Sequence, residues 1–128
     1  MKIICLEEHT ASSGIAKATQ LAQAAEAGYM AEWGSRVIDK AAAFTGNRPH
    51  LVPAKTALEL APDVGAARIA EMDKCGIDMQ VLSYSNAAQL APVGQAVELT
   101  REANDKLAEA VRTYPIQFAG FAASRNCD

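Results

Sequence analysis

Apolar and polar positions divide the chain into short hydrophobic runs and longer periodic stretches. Lys2-Ile3-Ile4-Cys5-Leu6 is apolar on both faces and rich in β-branched residues, and Glu7-Glu8-His9 closes it with charge. Such a run predicts a strand over residues 1–9, of the kind found buried in a parallel sheet. Residues 11–44 are alanine-rich and free of proline, which predicts helix, with Ser12 or Ser13 as cap and Gly28 and Gly34 dividing it in two. Alanine contributes little burial, so this stretch reads as a peripheral excursion rather than a core layer. Gly46, Pro49, Pro53 and Pro62 make residues 45–62 a loop. Asp63 as N-cap and Gly76 just past the end frame a helix with Ile69 and Met72 facing inward. Residues 77–84 form a second strand and residues 85–92 a polar, small-residue loop. Val93, Val97, Thr100, Asn104, Leu107 and Val111 recur at spacings of three and four, one face of a helix over residues 93–113. Glu102 and Lys106 fall at the i,i+4 spacing of a favourable pair. Tyr114-Pro115 ends this helix, and residues 116–122 are a third strand.

Strands alternating with helices predict an α/β fold with a parallel sheet and right-handed crossovers. At 128 residues the chain is one domain at most, and half of its residues are hydrophobic. A net charge of −3 gives no basic face, so no nucleic-acid partner is expected. No run of about 18 apolar residues exists, so no membrane partner is expected either. Glu7-Glu8 follows Met1 too soon for the apolar region of a signal peptide, which makes the cytoplasm the expected compartment. Cys5, Cys75 and Cys127 form no paired motif and read as buried, reduced thiols.

The residues that suggest chemistry close the first strand. Strict alternation puts Glu7 and His9 on one face with Ile3 and Cys5, and Glu8 on the other with Ile4 and Leu6. A carboxylate and an imidazole two residues apart at the C-terminal end of a parallel strand can grip one metal ion, and sites form at that end. Oxygen and nitrogen donors suit zinc or manganese. By spacing alone the same pair also fits a solvated strand end, and two donors do not complete a shell of four or more. Asn104, a polar residue inside an apolar stripe, reads as an amide that bonds loop backbone. No Gly-x-Ser-x-Gly elbow or phosphate-binding glycine pattern is present.

Three blocks carry a family resemblance. Met1-Lys2-Ile3-Ile4-Cys5-Leu6-Glu7-Glu8-His9 resembles the opening of the amidohydrolase-related, metal-dependent decarboxylases. These act on aminocarboxymuconate semialdehyde, dihydroxybenzoates and carboxyvanillate, and the Glu-Glu-His form is similar to the dihydroxybenzoate and resorcylate branch. Residues 68–83, from Arg68-Ile69-Ala70-Glu71-Met72-Asp73 to Gln80-Val81-Leu82-Ser83, resemble the family's helix leading into its second strand. Residues 103–110 and Phe118-Ala119-Gly120-Phe121-Ala122-Ala123 resemble the next helix and third strand.

The resemblance implies an N-terminal segment of a (β/α)8 TIM-type barrel, with about three parallel strands, their helices, and a helical insertion at residues 11–62 after strand 1. It implies one partial barrel domain over residues 1–128, because a whole barrel has eight strands and typically ~250 residues. Glu7 and His9 match the family's first-strand metal ligands for a divalent ion, zinc or manganese. Glu8 matches a position that is not a ligand. Ser85 and Asn86, after the second strand, would line the substrate pocket, and Arg48 or His50 would be a poorer match for a substrate carboxylate. The implied activity is metal-dependent decarboxylation of a small aromatic carboxylic acid, with a homo-oligomer as a possible assembly. The family's later histidine ligand, catalytic histidine and protonating aspartate have no counterpart here, so a truncated chain without activity of its own is expected. The alternatives are a metal-dependent hydrolase on the same frame and an inactive fragment that acts by association.

Overall fold

The computed structural model describes residues 1–26, 28–29 and 60–124. Along the chain run β1 (Ile4–Thr10), α1 (Ser13–Glu26), α2 (Ala66–Cys75), β2 (Met79–Tyr84), a 3-10 turn (Ala88–Leu90), α3 (Val93–Thr113) and β3 (Phe118–Gly120). The strands form one parallel sheet in the order β1-β2-β3. The three parallel strands with intervening helices are the α/β arrangement expected. Arg48, His50, Cys127 and the second half of the alanine-rich helix lie outside the described residues.

Register assigns the two faces of the sheet. Bridge partners in a parallel pair share a face, so Cys5, Gln80 and Phe118 lie on one side with Glu8, Leu82 and Gly120. This side is covered: Leu82, Phe118 and Met72 are buried with Leu107, Ala110 and Val64 in the main cluster. Ile4, Met79, Val81, Ser83, His9 and Ala119 lie on the other side, which no described helix covers.

α2 ends as its sequence predicts. Gly76 adopts a left-handed φ of 69°, and its N–H and that of Ile77 donate to Asp73 O and Met72 O. At the other end Asp63 stands two residues before the cap position, which Gly65 fills. The Asp63 carboxylate still accepts from Arg68 N at 3.3 Å, as well as from Gly65 N at 2.8 Å, so it satisfies a first-turn donor from farther upstream. Cys75, expected to be buried, is exposed in the last turn of this helix.

α3 has the predicted bounds but a different inward face. Ala96, Thr100, Ala103, Leu107 and Ala110 are buried, while Val93 is 78% exposed and Val97 53%. The 3.6-residue period is right: Thr100 and Leu107 face inward as expected, and the neighbouring contacts fall to Ala96, Ala103 and Ala110, one position before Val97, Asn104 and Val111. Alanine lets the helix approach the sheet closely, so small residues rather than the larger valines take the contact. Leu107 rests on the backbone of β3: a Cβ at Gly120 would lie 2.8 Å from its Cδ2. Lys106 donates to Pro62 O at 3.1 Å rather than pairing with Glu102, and ion pairs form instead at Glu98–Arg101 and Glu109–Arg112.

α1 is more than peripheral. Ser12 caps it, accepting from Ile15 N at 3.3 Å, and Ile15 and Thr19 are fully buried. Ile15 packs with Ala88 and Ala103, so the first turns of α1 close the core at the C-terminal end of the sheet.

Candidate metal centre

The end of β1 departs from regular strand geometry. Cys5 pairs with Gln80 and Glu8 with Leu82, so Leu6 and Glu7 together oppose the single residue Val81. This is a β-bulge. Glu7 takes up the extra length at φ 58°, and it is the one non-glycine residue with positive φ among those described. Only a few per cent of non-glycine residues adopt that conformation, and such outliers gather at functional sites.

The bulge corrects the alternation argument. Cys5 and His9 lie on opposite faces, as do Ile4 and Glu8, because one residue has been inserted between them. Glu8 still faces away from His9, toward the helices, because ordinary alternation resumes after the bulge. His9, like Ser83 beside it, is on the uncovered face, and Leu6 and Glu7 are exposed opposite Val81 of that same face. The imidazole and the Glu7 carboxylate are thus both open to solvent at the C-terminal rim of the sheet. Among the described residues no group of three or more His, Cys, Asp or Glu converges to hold an ion.

Several groups hold this rim from behind and beside. Thr10 is buried, and its hydroxyl donates to Ala61 O at 2.9 Å. Ser85 N donates to Thr10 O at 3.0 Å, and the Ser85 hydroxyl lies 3.3 Å from the same oxygen. The Asn86 side chain accepts from Ser12 N. Ser85 and Asn86, expected to contact substrate, therefore join β1, α1 and β2, although the Ser85 side chain remains exposed. Tyr84 donates to Ala103 O at 2.7 Å, and burial pushes its phenol above the ordinary range. Asn104 bonds both backbone groups of Ala123, at 2.9 and 2.8 Å, as its place in the stripe predicts.

Arg68 is the residue that sequence reasoning missed. It is 8% exposed, and its Nη2 donates to His9 O at 2.9 Å. Burial lowers the guanidinium pKa, against the opposing pull of Glu8 and Asp63. An arginine on an alanine-rich amphipathic helix carries no sequence signal of burial.

No family model and no curated protein matches the chain. Solved structures do. A 5-carboxyvanillate decarboxylase from Novosphingobium aromaticivorans, complexed with manganese and 4-hydroxy-3-methoxy-5-nitrobenzoic acid, superposes with a TM-score of 0.70 at 28% identity, over 97% of this chain and 34% of that one. A dihydroxybenzoic acid decarboxylase from Polaromonas, with bound manganese and 2-nitroresorcinol, matches at 0.56 and 32% identity, over 96% and 30%. A 2,6-dihydroxybenzoate decarboxylase from Rhizobium matches at 0.57 and 26% identity, over 95% and 30%. The chain thus spans about a third of the length of the solved structures it matches. Over that third, its three parallel strands and their helices have the amidohydrolase-like decarboxylase fold.

Proposed function

We propose that this chain supplies Glu7 and His9 as first-strand ligands of a divalent-metal centre that decarboxylates a small aromatic carboxylic acid. The observation that carries this reading is the left-handed Glu7 in the bulge, a strained residue on the rim where His9 is also exposed. Support comes from the structural neighbours, among them structures that hold manganese and an aromatic ligand.

The donor set fits such an ion. A carboxylate oxygen and an imidazole nitrogen suit manganese or zinc, and both side chains are exposed and uncommitted to the helix-covered core. They are two of the four or more donors an ion needs, and among the described residues no third His, Cys, Asp or Glu joins them. A divalent ion bound there supplies Lewis acidity and a template for the substrate's oxygens. Glu7 contributes negative charge that offsets the ion's. His9 offers an imidazole nitrogen. Ile4, Leu6 and Val81 on the same face give an aromatic ring an apolar wall. Ser85, exposed at the end of β2, is placed to donate to a substrate oxygen.

Manganese titration followed by electron paramagnetic resonance tests the reading. The chain is expected to bind one Mn2+ weakly, and Glu7→Gln and His9→Ala each to weaken it by at least about tenfold. Binding that survives both substitutions would overturn the assignment. Addition of 2,6-dihydroxybenzoate is expected to change the Mn2+ spectrum of the wild type only.

The uncovered apolar face favours a second reading, in which the chain acts by association. That reading predicts no dependence of any partner complex on Glu7 or His9.

A further inference from the structure

The bulge in β1 breaks the ladder to β2 between Cys5 and Glu8, and the other edge of β1 has no strand partner among those described. Something outside the sheet must hold this segment in an unfavourable backbone conformation. Arg68 stands there. From the first turn of α2 its Nη2 reaches the carbonyl of His9, 59 residues away in sequence. Its own backbone N–H is tied to Asp63, which fixes the start of the helix against the same rim. Its Nη1 is buried and has no hydrogen-bond partner among the described residues. A buried guanidinium with an unfilled donor is a costly way to fill space that a leucine or methionine would fill for less. Glu8, the residue between the two candidate ligands, and Asp63 both pull on that charge.

We infer that Arg68 is a positioning residue: from behind the sheet it holds the bulged end of β1 so that Glu7 and His9 are presented together to an ion. This rests on the metal-centre reading above. The planar fork of arginine suits the task, because it can hold the His9 carbonyl with one arm and keep a second donor free, whereas the ammonium of lysine is a single point.

The test compares Arg68→Met and Arg68→Lys with Met72→Val, a core substitution in the same helix. Each is measured for Mn2+ affinity, thermal midpoint and the backbone chemical shifts of Glu7. Both Arg68 variants are expected to bind Mn2+ about 10- to 100-fold more weakly and to shift the Glu7 signals away from their left-handed values. Met72→Val is expected to lower the midpoint with Mn2+ affinity unchanged. Equal losses of affinity in Met72→Val and the Arg68 variants would make the role merely structural and overturn the inference. Unchanged affinity in Arg68→Met, with His9→Ala still abolishing binding, would overturn it and leave the metal-centre reading standing. A wild-type chain that binds no Mn2+ would remove both.

Discussion

A glutamate held at φ 58° costs roughly 1–2 kcal/mol relative to an extended L-residue. Glycine at that position escapes the penalty but brings about 0.5–1 kcal/mol of extra unfolded-state entropy. Glu7→Gly is therefore expected to leave urea stability unchanged or raise it by up to about 1 kcal/mol, while Mn2+ binding is lost. A clear fall in stability would mean that the carboxylate itself holds the fold together. The two best-placed polar residues were not equally legible. Asn104 announced itself, because an amide inside an apolar stripe needs backbone partners, and Ala123 supplies both. Arg68 did not, because arginine on a helix reads as solvated until its neighbours are known. Glu7 and His9 were visible as a pair of donors. The bulge that separates them from Cys5 was not, since Leu6-Glu7-Glu8 contains no glycine or asparagine to mark a left-handed residue.

Whole elements were easier to read than their faces. The period of α3 and the Tyr114-Pro115 stop gave its bounds, yet its contact stripe is built from alanines that carry little weight in a hydrophobic pattern. What decides the stripe is the close approach to β3, where Leu107 lies on Gly120. In an ordinary strand Gly→Ala would stabilise by some 0.5–1 kcal/mol. Here Gly120→Ala drives a methyl into the Leu107 side chain, itself packed in the core, and is expected to destabilise by about 1–3 kcal/mol in denaturant unfolding. Adding Leu107→Val should recover part of that loss, since the two positions are in direct contact. A stabilised Gly120→Ala would show that the helix can simply move away.

At the scale of the molecule, the alternation of strands and helices was enough to predict a parallel sheet. It could not say how that sheet is covered. Parallel sheets occur almost always with both faces buried. In this one the described helices cover a single face. Leu6, 72% exposed, and Phe121, 59% exposed, stand out among the apolar residues left in contact with water. A surface of this kind favours contact with another chain. The 128-residue chain is expected to elute ahead of a monomer at high micromolar concentration. Leu6→Lys with Phe121→Ser should return it toward the monomer position. Monomeric elution of the wild type across that range would show that the bare face is tolerated.

The parallel pairing of β1 has a consequence in time. Gln80 joins Phe118 across 38 residues, but Cys5 joins Gln80 across 75. By chain entropy the longer closure costs only about 0.6 kcal/mol more. Among the described strands β1 lies at an edge of the sheet, and the bulge interrupts its ladder between Cys5 and Glu8. The more local unit β2-α3-β3 is therefore expected to form first, with β1 and its two donors joining later. An ion gripped at that rim would act as a latch, and its presence would be recorded as slowed deuterium uptake along β1 before any other part of the sheet changed.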